Sequence, residues 1–285
     1  MTARPTVSPD LDGVRSRHRT LLSRSRAEPL RNLAIAVFLV ALAIVAVHQL
    51  DVSIWRVLSG FARLGDFIVL MFPPSYGTEA RLVLYLKALA ETLAIAFIGT
   101  LVAALLAFPM ALLASRNVMA NRLVRLASRR FFDSIRGVDT LIWALVWINV
   151  VGLGPFAGAL AIATSDFGSF GKLFSEAIET SDKRPVEGVV AAGGNHAQVI
   201  GFAILPQVLP VVISQILYYF ESNTRSATII GIAGAGGIGM HLSEQIRILE
   251  WQHVSCLILL ILVTVGIIDW ISARIRHAMI GRRPD

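Results

Sequence analysis

The chain is short of charge, of cysteine and of lysine, and each shortage removes a class of protein. Only 16% of its 285 residues are Asp, Glu, Lys or Arg, against 55% apolar, where soluble domains carry about 25% charged residues. A water-soluble globule of that composition is excluded, and with a mean hydropathy of +0.68 the chain reads as an integral membrane protein. The one cysteine, Cys256, lies in an apolar run, so no disulfide framework or CxxC metal site is available. The histidines, scattered from His18 to His277, form no H-x3-H or HExxH group, which disfavours a metal-dependent membrane enzyme. There are 3 Lys against 23 Arg, and the net charge is +7. The arginines cluster beside apolar runs rather than on one soluble face, a mark of membrane topology and not of nucleic-acid binding.

Two glycine motifs are also less than they resemble. "GIAGAGGIGM" holds G-x-G-x-x-G in Gly234, Gly236 and Gly239, but a dinucleotide turn needs a strand before it and a βαβ unit around it. Neither is expected here. Glycines at that density instead let backbone bend and helices approach closely, and a re-entrant, path-facing turn is the expectation. "GSFGKL" has two residues between its glycines and Leu173 after Lys172. A P-loop needs four and a hydroxyl, so ATP hydrolysis is not expected of this chain.

What is present is a series of apolar runs long enough to span about 30 Å of hydrocarbon. The expected organisation is an N-terminal tail at 1–30, retained rather than cleaved, a first span at 31–51 and an interfacial segment at 52–81. A core at 82–278 holds five further spans, before a tail at 279–285. "GLGP" at Gly152–Pro155 makes a tight return between the third and fourth spans. The arginine-rich segments are the N-terminal tail, the 115–136 loop, Lys183-Arg184 and the C-terminal end. Six alternating spans put all of them on one side, cytoplasmic by the positive-inside rule, with both termini inside. Lys87 and Glu91, four apart, are expected to pair on one helix face.

Between the fourth and fifth spans lies "RPVEGVVAAGGNHAQVIGFAILPQVLP". Pro185 suits a first helical position, Glu187 a first turn, and Gly193-Gly194 a stop, giving a short cytoplasmic helix at 186–196. Glu187, Gly193 and Leu205-Pro206 fall at the intervals of the E-A-A-x3-G-x9-I-x-L-P pattern of bacterial ABC importer permeases. Gly188 and Val189 replace its alanines, and Ala203 its isoleucine. The sequence resembles that family. With "VGLGPFAG" and "ESNTRSATIIGIAGAGGIG", it is most similar to permeases of phosphonate importers.

The resemblance implies an all-α polytopic membrane protein with the type I importer (MetI-like) permease fold. It implies ATPase coupling through Glu187, Gly188, Ala191, Gly193, Gly194 and His196. The partners implied are a second copy, two cytoplasmic ABC ATPase subunits carrying ATP and Mg, and an extracytoplasmic solute-binding protein. The cargo is a small anion, phosphonate first, with phosphate or an amino acid as alternatives. No cofactor is expected on this chain. Arg225, Ser226, Thr228, Gly234, Gly236 and Gly237 are the candidate translocation path, since a cation attracts an anion into a low-dielectric passage. An ion-coupled secondary transporter is the rival class. It calls for inverted repeats, which are not evident, and midplane carboxylates, of which Asp166 is the one well inside a span.

Overall fold

The computed structural model describes residues 27–50 and 53–280; most of the expected N-terminal tail and of the C-terminal tail lies outside them. Among the described residues every regular element is helical, as the composition requires. In hydrocarbon a backbone must satisfy its own polar groups, and a helix does so within one segment.

The chain forms two units, residues 1–67 and 68–285. The first contains α1 (Ala27–Gln49) and most of α2 (Ile54–Leu70). No described side chain of α1 is buried within the protein, and Leu33, Val37, Phe38, Val40 and Ile44 are all exposed. A helix apolar all round has lipid as its solvent. α2 is amphipathic, exposing Trp55, Leu58, Phe61 and Leu64, the pattern of a helix lying in the interface.

The second unit is organised by α3 (Glu79–Ala114) and α6 (Pro155–Glu179), its most extensively packed pair. The buried face of α3 is mostly small: Ala88, Ala96, Gly99, Ala103, Ala107 and Ala111. Small residues let backbones close to contact where there is no hydrophobic force between helices. Gly99 shows how close: a Cβ there would lie 2.8 Å from Ile162 and 2.9 Å from the Ala159 carbonyl oxygen. The spans' threonines return their hydroxyls to carbonyls one turn back, as Thr92 does to Ala88 (2.9 Å) and Thr264 to Leu260 (2.8 Å).

α4 (Arg122–Arg136) and α5 (Thr140–Val151) are bent 85° from one another. Asp139 caps α5, accepting from Leu141 N at 2.8 Å. Gly152 (φ +93°) and Gly154 (φ +135°) then reverse the chain, and Pro155 opens α6. A short helix α7 (Lys183–Ala191), a single turn at His196–Gln198 and π-helical turns at Val199–Ile204 lead into α8 (Leu205–Ile230). A second π-helical turn, Gly231–Ala235, connects it to α9 (Gly237–Arg247), and α10 (Trp251–Ile280) closes the unit.

Four of the described helices are long and apolar enough to cross a membrane, or five if the bent α4–α5 pair counts as one. α6 is not among them because α3, α4 and α5 sheathe it, so its buried faces need little apolar residue for lipid. The apolar run of the fifth segment thins after Phe220, but the helix does not end there. Its helix runs on to Ile230, because the polar groups of Asn223 and Thr224 are satisfied inside the bundle. Nor do Lys87 and Glu91 pair: Glu91 Oε1 accepts from the Gly237 N–H at 2.9 Å, 146 residues away.

Candidate functional site

α7 begins two residues earlier than the motif suggests. Asp182 is its cap, accepting from Arg184 N at 3.1 Å, so Pro185 is the third helical residue and Glu187 lies in the second turn. Asp outranks Pro as a start signal because it supplies the acceptor that the orphan N–H groups need. Gln207 of α8 holds this end: its Oε1 accepts from Asp182 N (2.9 Å), and its Nε2 donates to Ala203 O (2.6 Å) and Asp182 O (3.3 Å). At the other end Gly193 takes φ +81°, and Gly194 N donates to Val189 O at 2.9 Å. Asn195 and Gln198 then form a reciprocal capping box.

No residue of α7 is fully buried. Val186 and Val189 lean on the core cluster containing Val199 and Ile204, while Glu187, Gly188, Val190 and Ala191 face outward, with His196 exposed beyond them. Nothing lies within 4 Å of a Cβ built at Gly188 or at Gly193. The result is a small-residue ridge held from behind and open in front.

The glycine turn is the opposite. Gly234 (φ +107°), Gly236 (φ +82°) and Gly237 (φ +69°) bend the chain so that α9 folds back over the end of α8. The start of α9 is already occupied, with Glu91 Oε1 on Gly237 N and Thr92 Oγ1 accepting from Ile238 N at 2.8 Å. With no strand before it among the described residues and a carboxylate already at its positive pole, this turn has no place for a pyrophosphate. Within this one chain, Gly234, Gly236 and Gly237 are closely packed. Leu153, Pro155, Glu91 and Thr92 fill the space against them. Close packing of the elbow joins α8 to α9.

The remaining path candidates separate as well. Thr228 is buried in a crevice with Thr92, Thr224 and Thr264, between α3, α8 and α10. Ser226 is half-buried. Arg225, with its side chain 49% exposed, turns to Glu221 at 3.4 Å. Arg276 of α10 reaches the other oxygen of the same carboxylate, also at 3.4 Å. Glu221 is buried, so one carboxylate serves two guanidinium groups, and the cluster keeps one net positive charge.

One polar cluster has no local signature in the sequence. Asn223 Nδ2 donates to Thr100 Oγ1 at 2.8 Å and also to Asp166 Oδ2, tying α8 to α3 and α6 through three buried side chains. Asp166, the carboxylate expected of an ion-coupled transporter, is thus engaged in holding helices together.

At the end of the unit where α3 and α6 finish, Glu179 Oε1 accepts from Arg129 Nη2 and from Arg116 N, both at 2.6 Å, and Arg129 Nε donates to Ala114 O at 3.0 Å. The arginine-rich segment 116–136 and the start of α7 therefore share one end of the bundle, and the elbow occupies the other.

Residues 104–277, from the middle of α3 to the end of α10, match the family model described as binding-protein-dependent transport system inner membrane component. The chain belongs to this family. As a member, it is a multi-pass transmembrane subunit of a bacterial inner-membrane importer and not an enzyme. It is 37% identical over 262 residues to HtxC of Stutzerimonas stutzeri, named as a candidate phosphite transport system permease, with 92% of each chain covered. It is 34% identical to the phosphite transport system permease PtxC of the same organism, over 87% of this chain and 88% of that one. A third relative, the phosphate-import permease PhnE of Mycolicibacterium smegmatis, is 33% identical over 92% of this chain and 50% of its own length. Among solved structures the permease fold matches a chain of the MetNI methionine ABC transporter in an inward-facing conformation. The TM-score is 0.62 at 19% identity, covering 71% of this chain and 99% of that one.

Proposed function

We propose that this permease carries a small phosphorus oxyanion (phosphite, phosphonate or phosphate) into the cytoplasm, driven by ATP on separate subunits. The observation that carries the reading is the near end-to-end similarity to phosphite permeases, joined to a helix that the fold holds out with small residues and no cover. The partners are a second copy, two ABC ATPase chains bearing ATP and Mg, and an extracytoplasmic binding protein. α7 is the surface on which the ATPase pushes, with Glu187, Gly188, Ala191, Gly193, Gly194 and His196 at the contact. Force leaves it through Val186 and Val189 into the core cluster, and through Gln207 into α8. The end of the bundle bearing α7 and the 116–136 arginines faces the cytoplasm, with both termini on that side, following the positive-inside rule.

Arg225 is the cation that meets the anion on the path, and Glu221 is the counter-ion that holds it until the anion arrives. Glu221 is buried and keeps Arg276 when Arg225 turns to the anion, so the exchange leaves no buried carboxylate unpaired. Arg225→Gln abolishes uptake while ATPase activity stimulated by the binding protein persists. Unchanged uptake removes Arg225 from the path.

The deciding experiment reconstitutes the chain with its ATPase and binding protein and follows labelled phosphite, a phosphonate and phosphate in parallel. Uptake of one of them that stops with vanadate and survives an uncoupler supports the reading. Uptake that stops with the uncoupler and ignores vanadate assigns the chain to ion-coupled transport.

A further inference from the structure

We infer that α4 is a docking surface for anionic phospholipid in the leaflet at the α7 end of the bundle. One face of α4 is fixed. Phe132 packs over Gly171, whose missing Cβ makes the room, and Ser128 is buried beside it. Arg129 is tied to Ala114 O and Glu179. Those contacts dictate what the other face shows: Leu123 (79% exposed), Leu126 (56%) and Phe131 (50%), with Ala127 between them. Arg122 and Arg130 stand on the same exposed side, and Arg136 at the helix end. The 85° bend from α5 means that both helices cannot stand along the membrane normal. A helix with five arginines among fifteen residues does not lie in hydrocarbon.

An apolar arc bordered by guanidinium groups fits an interface whose depth is hydrocarbon and whose surface is phosphate. Arginine stems cover apolar surface while their heads reach the phosphates. Among the described residues the one acid on α4 is Asp133, which pairs with Arg130 at 3.7 Å and with Lys172 at 3.4 Å. Arg122 and Arg136 have no ion pair among the described residues. A second copy of the chain is a poor occupant, because a two-fold contact through this face would set one arginine row against another.

The surface lies outside the transport reading, and its test does not depend on uptake. The full-length chain with Cys256→Ser and Ala127→Cys, labelled with an environment-sensitive fluorophore, is placed in nanodiscs of phosphatidylcholine alone or mixed with phosphatidylglycerol. Brominated acyl chains quench the label, and quenching rises with the phosphatidylglycerol fraction. Arg122→Gln with Arg130→Gln lowers the apparent preference for phosphatidylglycerol by on the order of twenty-fold, at about five-fold per arginine. Phe131→Asp weakens quenching in both membranes. All three positions are exposed, so elution and thermal unfolding stay those of the parent. A label quenched by aqueous iodide equally in both membranes overturns the inference. So does a disulfide that forms spontaneously between two unlabelled copies through the introduced thiol, which would assign the arc to a copy-to-copy contact.

Discussion

The ridge of α7 and the elbow after α8 are both glycine-bounded and both follow a long helix, yet they use glycine for opposite ends. At Gly188 and Gly193 an added Cβ meets nothing. At the elbow, Gly239 leaves no room for one beside the Thr228 carbonyl, and Gly231 would meet Gly236 O at 2.5 Å. One segment has open space in front of it, while in the other the backbones touch. A small residue on an open ridge leaves room for something from outside the chain, and a small residue in a filled elbow shows that the space is already taken.

Four substitutions sharpen or break that contrast, ordered by their cost to the fold. Gly239→Val forces a branched side chain against backbone that cannot give way, and overpacking of this kind costs roughly 3 kcal/mol or more. No monodisperse protein is expected on size exclusion. Glu91→Ala leaves the Gly237 N–H buried without its acceptor, at about 1–3 kcal/mol, read as a lower thermal midpoint in detergent. Gln207→Ala loosens the anchor of α7 for about 1 kcal/mol, and uptake falls further than stability does. Gly188→Leu changes stability by no more than about 0.5 kcal/mol, as exposed positions do, yet it blocks the ridge and uncouples ATP hydrolysis from uptake. Should Gly188→Leu unfold the protein and Gly239→Val leave it intact, the contrast between the two regions is wrong.

The sequence made the helices legible because long apolar runs have few physical solutions, and it made α7 legible as a short helix because its bounding residues lie close together in the chain. It misled where a local partner competed with a distant one. Lys87 is the neighbour of Glu91 by helical period, but the Gly237 N–H is the stronger claimant, being buried at a helix start and left with no other acceptor. Pro185 is outranked as a helix start by Asp182, three residues before it. The Asp166–Asn223–Thr100 cluster is invisible in the sequence, since its members lie 57 and 123 residues apart and no spacing rule connects them. The arginines of 122–136 read as a loop in the sequence, where the fold has an amphipathic helix. Likewise the elbow's glycines showed a bend but not that Leu153 and Pro155 fill it.

That same cluster bears on how the protein can change shape. Asn223 commits both amide hydrogens to two neighbouring helices, so turning α8 alone by a single residue would strand the Asn223 amide and the Asp166 carboxylate in a nonpolar interior, while Thr100 keeps its bond to Ala96 O. Asn223 and Asp166 are therefore held to move together. Left-handed glycines outside the cluster, Gly152 and Gly154 toward one rim and Gly193 toward the other, are positions where the backbone can turn without disturbing it.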